Sequence, residues 1–122
     1  MSDTVHMSLD EVRALSTEVL IANGMSEANA MVIADVVTQA EADGTHSHGL
    51  FRVPGYVTSM RSGRMDGKAV PEVTEKSPGL VAVDSKNGFS PPAIMAGKPL
   101  AIEKAKSQGI AALGLRNNGN LN

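Results

Sequence analysis

Cysteine and tryptophan are absent from the sequence, and the aromatic residues reduce to Tyr56, Phe51 and Phe89. Without cysteine there is no disulfide framework, no thiol nucleophile and no thiolate metal site. Without more aromatics the core must rest on Val, Ile, Leu, Ala and seven scattered methionines, which bury less area per residue than rings do. So small an aliphatic core favours a chain that completes itself against a partner or a further segment. Neither sign of charge dominates. Eleven basic residues against thirteen acidic ones give a net charge of −2 with no basic stripe, which removes the electrostatic basis for nucleic-acid binding. No apolar run approaches the ~20 residues of a membrane span. Residues 1–7 carry acid and His6 in place of a basic start followed by an apolar run, so no signal peptide is expected and the cytoplasm is the default location. The phosphate-binding fingerprint G-x-G-x-x-G is missing too.

What is present describes a folded α/β chain. A hydrophobic content of 42% with 20% charged residues is ordinary for a globular protein, and 122 residues suffice for one core. Ser8-Leu9-Asp10-Glu11 has the form of a capping box, with Met7 and Val12 placed to form a hydrophobic staple. Leu9, Val12, Leu15 and Val19 then recur at helical spacing as far as the stop at Asn23-Gly24. Ser26 caps a second helix whose apolar stripe is Ala30, Ile33, Val37 and Ala40, ending near Asp43-Gly44, so a helical hairpin is expected. Pro54 interrupts the next helical stretch, predicting a short turn through Arg52 and a fresh helix from about Pro54 to Arg61.

Beyond Ser62-Gly63 the pattern changes. Turn signals at Asp66-Gly67, Ser77-Pro78-Gly79 and Asn87-Gly88 bracket strand-like runs at Val70–Glu75 and Leu80–Asp84. Ser90-Pro91-Pro92 opens a helix expected to run to about Ser107, with a kink at Pro99 and a stop at Gly109. The continuous apolar run Ile110–Leu115 reads as a buried strand. We therefore expect an N-terminal helical hairpin plus a third, broken helix over residues 1–63, and the start of a strand-helix-strand lobe over 64–122. Parallel crossover is the default for that order, with a mixed or antiparallel sheet open.

Polar groups concentrate in one place, Asp43-Gly44-Thr45-His46-Ser47-His48-Gly49-Leu50-Phe51-Arg52. If the chain turns helical after Ser47, His48 and Arg52 share a face, with Tyr56 one step further. A neutral-pH acid or base beside a fixed cation suits reduction of an anionic carbonyl compound: imidazole delivers the proton, and the guanidinium fork grips a carboxylate. Ser47 is placed to orient the ring or the substrate. Plainer readings stand beside this one on spacing alone. Ser-His-Gly is often only a helix cap, and an arginine on an early turn is often solvated. His46 and His48, with Glu41 or Asp43, also have the look of a metal pair. Asn87-Gly88-Phe89 before the Ser90 helix start is a weak candidate anion cradle, more simply a plain turn.

Taken in order, Ala42-Asp43-Gly44, Ser47-His48-Gly49, Arg52 and Tyr56, then Val81-Ala82-Val83-Asp84, Asn87-Gly88-Phe89, Ala101 through Lys106, Gly109 through Ala112, and Arg116-Asn117, resemble the opening of the type-2 malate/L-lactate dehydrogenase family. The resemblance covers roughly residues 8 to 117. It implies a non-Rossmann oxidoreductase fold, of which this chain is the N-terminal portion, dependence on NAD or NADP, and a homodimer with its active site near the subunit interface. The substrate it implies is a small 2-oxoacid or 2-hydroxyacid, or a cyclic imino acid. It further implies His48 as catalytic acid/base, Ser47 as its support, Arg52 as the substrate-carboxylate residue, Asn117 as a weak cofactor contact, and no resident metal. One departure is plain. Where the family carries His-Phe-Gly after Arg-Asn, this chain has Asn118-Gly119-Asn120-Leu121-Asn122, so the histidine expected near Asn120 is missing. A chain lacking that histidine and most of the cofactor segment is expected to be inactive alone. A non-catalytic helical dimerisation module with an α/β lobe is the competing expectation.

Overall fold

The computed structural model describes residues 3–119. Four α-helices and a three-stranded sheet follow one another as α1 (Leu9–Ala22), α2 (Glu27–Ala42), two short 3-10 turns (His46–His48 and Leu50–Arg52), α3 (Val53–Arg61), β1 (Glu72–Ser77), β2 (Leu80–Asp84), α4 (Ser90–Gln108) and β3 (Ala112–Arg116). The expected α/β architecture is what the chain adopts. Among the described residues no helix is long and apolar enough to cross a membrane.

The helical hairpin starts as its sequence dictates. Ser8 Oγ accepts from the Glu11 N–H at 3.1 Å while Glu11 Oε1 accepts from the Ser8 N–H at 3.0 Å, which satisfies two donors that the first helical turn leaves open. Met7 packs against the cluster that contains Val12. The buried face of α1, however, is Val12, Ser16 and Leu20, while Leu9 and Leu15 are exposed. The i, i+4, i+8 row passes through a serine, so a reading that follows only apolar residues drifts off it. On α2 the buried row does contain Ala30, Ile33 and Val37, flanked by Asn29, Ala34 and Thr38.

Asn29 explains its own burial. Its Nδ2 donates to the carbonyls of Gly67 (3.0 Å) and Ala69 (2.9 Å), and Ser26 N–H donates to Gly67 O at 3.1 Å, so the strap after α3 is laced to the hairpin. Gly67 passes so close that a Cβ there would lie 3.0 Å from Met25 Cα and from Gly24 O.

The sheet is mixed. β1 and β2 form an antiparallel hairpin, and β2 and β3 are parallel, joined through α4, in the order β1-β2-β3. α4 covers one face, packing Ala93 and Leu100 against Val81, Val83, Leu113 and Leu115. Gly97 permits the approach, since a Cβ there would stand 2.6 Å from Val83 Cγ2 and 2.7 Å from Leu113 Cδ1. α4 runs unbroken through Pro99. Two boundaries differ from expectation. β1 begins at Glu72, and Val70 is 79% exposed, because Pro71 has no N–H to give a ladder. The last strand begins at Ala112 with Ile110 80% exposed, and β3 alternates exposed and half-buried residues. It is not the fully buried strand expected, because it lies at the edge of the described sheet with only one face under α4.

Candidate active site

The segment between α2 and α3 places the candidate residues. His46–His48 form one 3-10 turn and Leu50–Arg52 another, separated by Gly49 at φ −92° and ψ −135°. His48 and Arg52 therefore do not share a continuous helical face. They meet by a different route, a change of direction at Gly49, and both line one pocket of about 250 Å³.

Within the segment the side chains are fixed by short hydrogen bonds. Ser47 Oγ and His48 Nδ1 are 3.0 Å apart, and Arg52 Nε donates to the Ser47 carbonyl at 3.1 Å. Holding Nδ1 leaves Nε2 as the imidazole nitrogen available to a ligand. The Ser47 bond to Arg52 uses only Nε, so the terminal guanidinium nitrogens remain for a planar anion. Ser90 completes the polar lining, and its hydroxyl accepts from Asn118 Nδ2 at 3.4 Å. Tyr56, Met65, Phe89 and Pro91 supply the apolar lining. Tyr56 and Phe89 meet edge to face with centroids 5.5 Å apart and planes at 88°. Burial pushes the Tyr56 phenol above its ordinary range, opposed by the Arg52 charge, so its hydroxyl is a neutral hydrogen-bonding group at physiological pH.

Glu41, at the end of α2, braces the segment from behind. Its Oε1 accepts from the Leu50 N–H at 2.9 Å, and its Oε2 pairs with His46 Nδ1 at 2.6 Å. These contacts, His46 first and Leu50 second, hold its carboxyl below the usual carboxylate range. Both imidazoles of the His-x-His pair are thus engaged separately, His46 by Glu41 and His48 by Ser47. No group of three or more His, Asp or Glu among the described residues is arranged to hold a metal ion.

Asn117 takes no part in the pocket lining. It ends β3 in the left-handed region (φ 55°), donating from Nδ2 to Asp84 Oδ1 at 3.1 Å and accepting from Asn87 N–H at 2.7 Å. Gly119, two residues further on, does line the pocket, whereas position Asn120, where the family histidine is expected, lies outside the described residues. The turn at Asn87-Gly88 offers an anion neither of its own N–H groups. Its two N–H groups are spent on Asn117 O (2.7 Å) and Ser85 O (2.8 Å), and Pro91 and Pro92 remove two donors from the start of α4. Nothing in the sequence pointed to Met65, and Phe89 and Ser90 were marked only as part of a separate anion cradle, since all three reach this pocket from the second half of the chain.

The model of the family described as malate/L-lactate dehydrogenase matches residues 7–121. A Δ1-pyrroline-2-carboxylate reductase of Pseudomonas fluorescens is 48% identical over 113 residues, covering 93% of this chain and 34% of the relative. Among solved structures, Δ1-piperideine-2-carboxylate reductase from Pseudomonas syringae pv. tomato superposes with a TM-score of 0.91 at 42% identity, over 94% of this chain and 35% of that one. Malate dehydrogenase from Entamoeba histolytica does so with a TM-score of 0.86 at 28% identity, over 97% and 33%. The chain spans about a third of the length of the curated relatives it matches. With the family match running over nearly the whole chain and the fold superposing on these proteins, the chain belongs to the malate/L-lactate dehydrogenase family.

Proposed function

We propose that this chain supplies the substrate-binding half of an NAD- or NADP-dependent oxidoreductase, and that its substrate is a cyclic 2-imino acid of the pyrroline- or piperideine-carboxylate class. The observation that carries the choice of substrate is the lining of the pocket. It holds one guanidinium, Arg52, against Tyr56, Phe89, Met65 and Pro91. One fixed cation matches one carboxylate, and an apolar, aromatic wall matches a small saturated ring. Malate brings a second carboxylate, and beside Arg52 the described lining holds only His48, taken up by proton transfer, as a group able to carry positive charge; burying that carboxylate unpaired is costly. Relatives named as pyrroline- and piperideine-carboxylate reductases support the same choice.

In this reading Arg52 grips the carboxylate and so aims C2 of the imine into the pocket. His48, held at Nδ1 by Ser47, gives the proton from Nε2 to the ring nitrogen as C2 is reduced. Tyr56 and Phe89 exclude water from the ring. The hydride donor in this proposal is NADH or NADPH, a reading supported by membership of a dehydrogenase family. A homodimer in the cytoplasm belongs to the same proposal. Exposed Met31, Val36, Ile94 and Met95 on α2 and α4 support it as apolar surface suited to a partner. A division of the chain near residue 63 into helical and α/β segments is part of it as well.

The test follows absorbance of NADH and NADPH with Δ1-pyrroline-2-carboxylate, pyruvate and oxaloacetate, in a protein that carries this segment at the length of its relatives. The imino acid is expected to be turned over with a kcat/KM at least tenfold above either oxoacid. A preference for oxaloacetate would overturn the assignment.

A further inference from the structure

We infer that Glu41 is a positioning residue for the candidate active site, clamping the two 3-10 turns so that His48 and Arg52 face the same pocket. This rests on the reading of that pocket given above. A chain that leaves α2 at Ala42, makes one 3-10 turn, reverses at Gly49 and makes another has few backbone bonds to fix the angle between the turns. Those it has are local, His48 N–H to Thr45 O, Gly49 N–H to His46 O and Arg52 N–H to Gly49 O. Glu41 supplies the missing constraint. One carboxylate oxygen takes the Leu50 N–H, at the start of the second turn, and the other takes His46 Nδ1, at the start of the first. Both turns are thereby referred to the end of α2, whose backbone is itself fixed by the buried row Ala30, Ile33 and Val37.

A second, independent observation points the same way. Gly49 has a negative φ, so no left-handed turn calls for its glycine. It is demanded by space. A Cβ there would fall 2.8 Å from Glu41 Cγ and nearer still to the carboxylate. The glycine of the Ser-His-Gly motif is the place where Glu41 comes through. The remaining link is Arg52, whose Nε bonds the Ser47 carbonyl, so any rotation of the first turn moves the guanidinium with it. Glu41 does not line the pocket and its side chain is 18% exposed, so it acts through the segment and not on the substrate.

The test compares the 122-residue chain with its Glu41→Gln and Glu41→Ala variants by nuclear magnetic resonance at pH 8. Three signals are read: Leu50 amide exchange, the His48 ring resonances and the Arg52 Nε–H. The dissociation constant of pyrrole-2-carboxylate, a flat ring carrying one carboxylate, is measured alongside. Glutamine keeps an oxygen for Leu50 N–H and an amide N–H for a neutral His46 ring, so it is expected to stay within about threefold of the parent. Alanine removes both arms. It is expected to speed Leu50 exchange by tenfold or more, shift the His48 and Arg52 signals and weaken the ligand by about tenfold. His48 and Arg52 signals unchanged in Glu41→Ala would overturn the clamp, as would a Glu41→Gln variant no better than alanine. If Glu41→Ala loses its helical circular dichroism, Glu41→Asp, too short to span both partners, is read in its place with the same expectations. Should pyrrole-2-carboxylate fail to bind even the parent, the reading of the pocket falls, while the three signals still decide the clamp.

Discussion

In the proposed function the His48 imidazole combines two jobs. Ser47 Oγ, 3.0 Å from Nδ1, fixes the ring, and Nε2 is the nitrogen that exchanges the proton. Removing the ring removes the proton path without touching the carboxylate grip. In a protein of the relatives' length, His48→Ala is expected to lower kcat by ~10²–10⁴-fold, the usual worth of acid–base catalysis, with little change in KM. Steady-state kinetics on the imino acid checks this, and an unchanged kcat would remove the assigned role. Arg52→Lys should divide the other way. An ammonium keeps the charge but loses the planar fork and the Nε bond to Ser47 O, so KM should rise by about tenfold, ~1.4 kcal/mol, with kcat less affected.

Elements meet at two tight places, and each yields a measurable consequence. Gly97 sits where α4 presses on β2 and β3. A valine there would gain only part of the ~1 kcal/mol of helix propensity that separates alanine from glycine. The bulk of Gly97→Val must nevertheless displace Val83 and Leu113, and overpacking of this kind costs ~1–3 kcal/mol, which outweighs the propensity gain. Urea denaturation should show a lower midpoint, and a midpoint equal to or above the parent's would contradict the packing described. The second place is the carboxyl end of the parallel pair. Asp84 accepts from the Lys86 N–H at 2.9 Å and from Asn117 Nδ2 at 3.1 Å, with Lys86 and Arg116 alongside. The Lys86 N–H first, then Asn117, holds the Asp84 carboxyl below the usual carboxylate range. A pKa depressed in the folded chain means stability that is present above the unfolded aspartate value and is lost as pH falls through the folded value. Asp84→Asn is therefore expected to be less stable than the parent near neutrality and to converge with it in acid. A stability gap that stays constant from pH 7 to pH 3 would show that the carboxylate charge contributes nothing there.

For the molecule as a whole the decisive fact is extent, since these residues span about a third of each curated relative. Hydride transfer requires donor and acceptor carbons held together, and that positioning is worth ~7–11 kcal/mol. In the proposed function His48 and Arg52 provide a proton and an anchor. Neither holds a dinucleotide, and the Asn87 and Gly88 N–H groups before α4 are already bonded within the chain. The 122-residue chain by itself is expected to turn over pyruvate, oxaloacetate or an imino acid well below ~1 s⁻¹, the low end for ordinary enzymes. Turnover above that rate would place the cofactor site within these residues. Light scattering on the same sample reads whether α2 and α4 find a partner.

The sequence by itself determined what depends on near neighbours. The capping box at Ser8 and Glu11, the stop at Asn23-Gly24, the Ser26 cap, the break near Pro54 and the turns at Pro78-Gly79 and Asn87-Gly88 are all settled within a few residues, and each lies where local rules put it. That Ser47, His48 and Arg52 form one polar cluster was legible for the same reason, as types and spacing in one short segment. The tertiary structure decided what depends on residues far apart in the chain. It put Ser16 on the buried face of α1, left β3 at a sheet edge with Ile110 in solvent, and replaced the assumed helical face by two 3-10 turns. It also brought Phe89, Ser90 and Gly119 to His48, and set Glu41 behind Gly49. No local period encodes such meetings, because they are fixed by how the helical hairpin and the sheet lobe pack, and that packing is a property of the whole chain at once.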